Sequence, residues 1–277
     1  DEDGELTYEL GAPDSYPRSP SASVMVYAAP GDPGRLLVGD SNSSRLMMVE
    51  PEGNDIVWQT RFALPAARAS VVDAIVHPGG VVAVGLNWRS LGLSAVDILE
   101  FDSVPTAVTL RRLTNRQHTE GPTNKIIVED LQPIRDLIGT QDGNLLVVTD
   151  FLLLEMTLEG QINWRVDLGS AESVTGELSA IALMDSGHVA VATYEPGKWT
   201  SPHPNHRVHW LDRSDLNDAT ITVLGSTGPL DAAPANLETG GGHGASGTFG
   251  FAPGLDNGGS QDLDVLAVQR DLTFGRE

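Results

Sequence analysis

Gly143-Asn144-Leu145-Leu146-Val147-Val148-Thr149-Asp150, followed by Leu152–Leu158 and then Glu159-Gly160-Gln161-Ile162-Asn163-Trp164, reads as three short strands separated by tight turns. A version of this stretch recurs along the chain. Aligned on the glycine before each apolar strand, four repeats emerge. The first runs Val24–Ala28, Gly34–Val38, Arg45–Glu50 and Ile56–Trp58; the second Asp73–His77, Gly80–Val84, Ala95–Phe101 and Ala107–Leu110. The third runs Ile134–Thr140, Gly143–Val148, Leu152–Leu158 and Ile162–Val166; the fourth Leu178–Met184, Gly187–Ala192, Arg207–Leu211 and Thr220–Leu224. Four β-type segments in about 40–50 residues is the period of a propeller blade.

The turns agree with this reading. Gly31-Asp32-Pro33-Gly34, Pro78-Gly79-Gly80, Gln141-Asp142-Gly143 and Asp185-Ser186-Gly187 join first to second segments, and Pro51-Glu52-Gly53 and Glu159-Gly160 join third to fourth. Such residues supply the positive φ that tight hairpins require. A fifth unit begins at Gly247-Thr248-Phe249-Gly250-Phe251 and continues through Leu263–Val268 and Leu272–Phe274. Its missing strand is offered by Gly4–Leu10, which is similar to Gly160–Val166. The expected fold is therefore all-β: one domain over 1–277, a five-bladed β-propeller of four-stranded antiparallel blades. Those blades cover about 23–62, 71–112, 133–168, 177–224 and 247–277, and strand 4–10 closes the ring and removes an open edge. Six blades and an open sandwich are the alternatives.

Composition narrows the functional classes. Hydrophobic residues are 40% and aromatics 5%, so Val, Leu, Ile and Ala carry the core, which suits packed sheets. Acidic residues outnumber basic ones 38 to 17, for a formal charge of −21. A surface this negative disfavours nucleic acid and anionic membranes as partners. Lys125 and Lys198 are the only lysines, and cysteine is absent, which excludes disulfides and thiolate chemistry. No apolar run approaches the ~18–20 residues that span a bilayer, so no integral membrane segment is expected. The start at Asp1 without an initiator Met fits either a removed leader or a trimmed chain; the first is favoured, hence a secreted, periplasmic or cell-surface location.

The pattern Gly-x-Leu-Leu-Val-x-Asp, a strand, then Glu-Gly-x-Ile-x-Trp resembles blades of bacterial arylsulfotransferase-like and quinoprotein-like propellers. It covers the first, third and fourth repeats best. The resemblance implies the fold, since these motifs are blade signatures. Arylsulfotransferase-like enzymes use a histidine nucleophile and arginines that hold sulfate. By that resemblance His243 or His206 would act with Arg89, Arg116 or Arg207, although no site motif is matched residue by residue.

In an up-and-down blade the second-to-third and blade-to-blade connections share one face. The long connections gather there: Gly11–Ala22, Asp40–Ser44, Gly85–Ser94, Leu113–Gln132, Thr193–His206 and Gly225–Ser246. Loops on a rigid scaffold are where binding and catalysis reside. On this face Trp88 and Trp199 are expected to be exposed for sugar stacking or a protein hot spot. Trp58, Trp164 and Trp210 are expected to pack between blades. His203, His206 and His209 form a candidate divalent-metal set, with His118 and His243 in the two other longest loops and Arg89 and Arg207 as anion contacts. The competing reading turns His209 into the sheet beside Arg207, opposite Val208 and Trp210. Asp256–Asp264 is oxygen-rich but lacks the bidentate Glu of a calcium loop. Asp40 and Asp150 end equivalent second strands, either as cation ligands or as turn caps. The sequence thus points to an exported binding or scaffold propeller with a protein or glycan partner. The alternative is a histidine-dependent, metal-assisted transferase, lyase or hydrolase, its site at the channel mouth.

Overall fold

The computed structural model describes residues 27–29, 32–40, 44–50, 55–62, 64, 67–76, 81–100, 108–119, 122–140, 142–171, 174–184, 188–195, 204–216, 218, 220–227, 234–239, 249–253 and 266–268. Among these, structure is almost entirely β, and the chain divides into two compact units, Asp1–Ile134 and Arg135–Glu277. No helix among the described residues is long and apolar enough to cross a membrane.

The first unit holds two sheets. β1 (Tyr27–Ala29), β2 (Asp32–Asp40), β3 (Arg45–Glu50) and β4 (Asp55–Arg61) lie side by side in chain order, all antiparallel. β5 (Ser70–Val76), β6 (Val82–Trp88), β7 (Leu93–Glu100) and β8 (Val108–Thr114) repeat that order, and β9 (Lys125–Ile127) adds in parallel beside β8. The second unit begins one residue into β10 (Ile134–Gly139), which pairs in order with β11 (Leu145–Thr149), β12 (Leu152–Met156) and β13 (Ile162–Asp167). A fourth sheet runs β14 (Glu177–Leu183), β15 (Val189–Tyr194), β16 (Arg207–Leu211) and β17 (Val223–Ser226). A fifth runs β18 (Pro234–Thr239), β19 (Phe249–Pro253) and β20 (Leu266–Val268). A single turn of α-helix, α1 (Arg213–Leu216), follows β16.

Sequence pattern decides each strand's place. β11 is Leu-Leu-Val-Val-Thr and buried throughout, as a strand inside a sheet covered on both faces must be. β13 at the edge alternates: Trp164 and Val166 are buried while Asn163, Arg165 and Asp167 are exposed. Two hairpins use the same turn. In Thr140–Asn144 and Thr157–Gln161 the threonine Oγ1 accepts the N–H four residues on, and its carbonyl accepts the N–H of Gly143 or Gly160. Both glycines sit at φ +82°, where a Cβ would be strained.

The cores form where sheets stack. In the first unit Leu46, Met48, Phe62 and Leu64 meet Val82, Val84, Leu86 and Trp88. In the second, Leu146, Val148, Trp164 and Val166 meet Leu178, Ile181, Val189 and Val191. Each such side chain contributes roughly 1.5–3 kcal/mol by leaving water. Ala180, Ala182, Ala190, Ala192 and Val208 line the opposite face of the fourth sheet, where β14 and β15 pack against β18. Trp164 is buried as expected, and its Nε1 donates to Glu155 at 3.1 Å. Burial works to raise the Glu155 carboxyl, but hydrogen bonds from Arg213, Asn163 and Asn144 outweigh it and hold the group below its ordinary value. Trp210 is half-buried; the side chain of Trp58 lies outside the described residues.

Three expected loops are corrected. Most of Gly85–Ser94 is strand, because the apolar period of two continues through Val82, Val84, Leu86 and Trp88. Leu113–Gln132 contains β9, and Gly225–Ser246 contains β18, so the fifth sheet starts before Gly247. The expected strand 4–10 and the segments Leu272–Phe274 and Asp256–Asp264 lie outside the described residues.

Candidate functional site

Trp88, expected to be exposed, is fully buried. It ends β6 on the core face, its Nε1 donates to the Phe62 carbonyl at 3.2 Å, and the Arg112 guanidinium lies 4.8 Å from its ring centroid. It therefore offers no platform to a partner. Arg89 is exposed on the 3-10 turn Arg89–Leu91 that joins β6 to β7. His118 is half-buried, and its carbonyl accepts Lys125 Nζ at 2.7 Å. These three belong to the first unit, whereas His206, Arg207 and His209 belong to the second. Trp199, His203 and His243 lie outside the described residues.

His206 and His209 are both buried, His206 just before β16 and His209 within it. The His209 ring is held between two hydroxyls, with Nδ1 at 2.7 Å from Ser226 Oγ and Nε2 at 3.4 Å from Thr193 Oγ1. Desolvation, helped by the charge of Arg207, pushes its pKa down to about 4. At neutral pH it is an uncharged group with each ring nitrogen beside a hydroxyl. Arg207 is likewise engaged: Nε donates to Pro204 O at 2.5 Å and Nη1 to Thr227 O at 2.9 Å. That ties it to the chain around it. Among the described residues no three His, Cys, Asp or Glu side chains are grouped to hold a metal ion.

A different constellation forms in the second unit. Arg135 near the start of β10, Asp150 just past β11, Glu177 opening β14 and Tyr194 ending β15 come together at one end of two neighbouring sheets. Arg135 Nε donates to Asp150 Oδ1 at 2.5 Å and Nη2 to Glu177 Oε2 at 3.3 Å. Glu177 and Tyr194 are cross-strand partners, and the Tyr194 hydroxyl donates to Glu177 Oε2 at 3.0 Å. Burial pushes the Tyr194 phenol up to about 12, with Glu177 adding to the rise and Arg135 opposing it. Tyr194 is thus a fixed neutral donor, with the Arg135 guanidinium 5.8 Å from its ring centroid.

Glu177 also lines a cleft of about 660 Å³ with Phe151, Gly169, Ser170, Ala171, Val174, Thr175, Gly176 and Glu195. Phe151 lies in the β11–β12 connection, 168–176 in the β13–β14 connection, and Glu195 follows β15. These are second-to-third and sheet-to-sheet connections, the class that the loop lengths single out. Phe151 is 46% exposed, and Glu195 Oε2 accepts Asn205 Nδ2 at 2.7 Å. Gly176 is required by close approach: at φ +100° its Cβ would stand 2.6 Å from the Tyr194 carbonyl oxygen. Gly176→Ala is expected to destabilise the chain by about 1–3 kcal/mol. A lower urea midpoint measures this; an unchanged one would show that the backbone shifts freely there.

Of this constellation the sequence marks only Asp150. The signal for Tyr194 is positional: Asn87, Asp150 and Tyr194 each stand seven residues past the glycine of their repeat. Asn87 uses that position structurally, bonding the Ile134 backbone N–H and C=O at 3.0 and 2.7 Å.

No protein-family model matches the chain, and no curated protein matches it in sequence. Solved structures match in fold. A protein of unknown function from Bacteroides caccae is 16% identical with a TM-score of 0.52, the match covering 81% of this chain and 69% of that one. A luciferin-regenerating enzyme is 13% identical, also at 0.52, covering 87% and 74%. Hydrazine synthase from Kuenenia stuttgartiensis is 10% identical at 0.49, covering 86% and 57%. Likeness at these identities concerns the fold alone.

Proposed function

We propose that this chain is an exported binding module, a five-bladed propeller completed by strand 4–10, that meets a protein or glycan partner with the face bearing its second-to-third and blade-to-blade connections. The Gly-anchored repeat and the sheets built from consecutive strands support the blade reading. A disc-shaped small-angle scattering envelope checks it. The observation that carries the functional reading is the cleft beside Glu177. It combines an exposed aromatic ring with carboxylates already oriented by neighbours, the combination by which concave sites bind and select. The histidine-dependent alternative draws less support, because His209 is buried, neutral and committed to two hydroxyls.

The test screens the purified chain against immobilised glycans and peptides, then repeats each positive with Phe151→Ala. Loss of an exposed aromatic contact is expected to weaken binding about five- to tenfold while far-UV circular dichroism stays the same. Binding that Phe151→Ala leaves untouched would place the partner elsewhere.

A further inference from the structure

The cleft lining carries a definite charge preference. Among the described residues that line it there is no Lys, Arg or His, and it presents Glu177 and Glu195. Arg135, the cation shown on Glu177, is already shared with Asp150, so two carboxylates divide one guanidinium. Among the described residues both hydrogen bonds to the Glu177 carboxylate fall on Oε2, which leaves Oε1 for a donor. The Ser170 hydroxyl donates to the Asp167 carbonyl at 2.8 Å, so towards a ligand it acts as an acceptor. A cleft rich in acceptors and poor in donors is matched by a ligand that brings N–H groups and positive charge.

The apolar part of the lining fits the same ligand. Phe151 lines the same cleft as the acidic groups, and Ala171 and Val174 supply an apolar wall. A cation over an aromatic face gains electrostatically, while its methylene stem covers apolar surface. The chain's charge of −21 attracts such a ligand from a distance and repels phosphate or sulfate. The volume lies in the range of ~300–1,000 Å³ typical of ligand sites, enough for a side chain and its flanking backbone.

We propose that this cleft takes a basic side chain, the guanidinium or ammonium of an arginine or lysine, from a protein partner; this rests on the reading of the face as a binding surface. Glu177 and Glu195 receive the charged head, Phe151 stacks on it, and Ala171 and Val174 pack along the stem. Tyr194 and Arg135 are positioning residues, holding Glu177 in place through its other oxygen.

The test uses the full chain with its six phenylalanines replaced by 4-fluorophenylalanine. The Phe151 fluorine resonance is assigned by its loss in Phe151→Leu. N-acetyl-arginine methylamide, the lysine equivalent, the neutral citrulline equivalent and a neutral oligosaccharide are titrated in turn at millimolar concentration. The arginine and lysine amides are expected to shift the Phe151 resonance, more weakly as salt rises, with citrulline about tenfold weaker. Glu195→Gln, which keeps the shape of the side chain, is expected to weaken them about five- to tenfold. Citrulline binding as well as arginine, or arginine binding undiminished in Glu195→Gln, overturns the assignment. A shift from the oligosaccharide alone overturns the cation while keeping the cleft as the binding site. No shift from any of the four overturns the inference, and the array result with Phe151→Ala then decides the face independently.

Discussion

Arg112→Met is expected to lower the unfolding free energy by about 3–5 kcal/mol, the largest effect of any single side chain considered. Arg112 on β8 faces Asp97 on β7, and the two are 4% and 0% exposed. Nε and Nη2 donate to the two Asp97 carboxylate oxygens at 2.6 and 2.7 Å, a buried fork-to-fork pair. Burial pushes the Asp97 carboxyl above its ordinary value while the Arg112 guanidinium pulls it back. Removing the guanidinium leaves only the burial, so Asp97 must either stay charged without a partner or take up a proton. The Trp88 ring also loses the cation beside it.

The pair does not follow the usual accounting of stabilising contacts. Nη1 of Arg112 is buried and makes no hydrogen bond among the described residues, so the pair is not fully satisfied. Two charges were taken out of water for it, and an apolar pair of similar volume can match it or exceed it. Asp97→Leu combined with Arg112→Met is therefore expected to recover most of the single variant's loss. Urea midpoints of the parent, both single variants and the double variant measure the coupling. If Arg112→Met alone is within about 1 kcal/mol of the parent, the pair contributes no more than a surface bridge.

How much of this was legible in the sequence follows from the range of the forces involved. Turns and strand positions are local. Gly143 and Gly160 announce a positive φ, and the apolar run of β11 against the alternation of β13 separates an inner strand from an edge. β18 escaped because Pro234-Ala235-Asn236-Leu237-Glu238-Thr239 opens on a proline and has one β-branched residue; its pairing with β19 comes from tertiary context. β9 escaped because three residues in parallel register leave no turn signal. The site is less legible still. Arg135, Asp150, Glu177 and Tyr194 span two repeats, and each alone is an ordinary polar residue at a strand end. Only the stacking of β11 against β14 makes them neighbours. Trp88 misled for the complementary reason: exposure of an aromatic depends on where the strand stops, and β6 runs to include it.

His209 gives the fold a pH dependence that can be isolated. The residue is 1% exposed, it bridges Ser226 and Thr193, and its pKa lies near 4 in the folded chain against 6.5 in an open one. The unfolded chain therefore binds the proton more readily between those values. The stabilisation is complete above pH 6.5 and is lost progressively as pH falls towards 4, amounting to about 3 kcal/mol in all. Carboxylates titrate in the lower part of the same window, so the parent curve alone does not identify the residue. His209→Gln keeps a donor and an acceptor near the two hydroxyls but has no proton to gain. Its urea midpoint is expected to fall modestly at pH 7.5 and much less steeply than the parent's between pH 6.5 and 4.5. The difference between the two slopes is the imidazole's share. Parallel slopes would mean that His209 charges without opening the fold, and water would then have to reach the space between β15, β16 and β17. Steeper loss in the parent would establish that the residue the sequence offers as a metal ligand serves the sheet as a neutral hydrogen-bonding spacer.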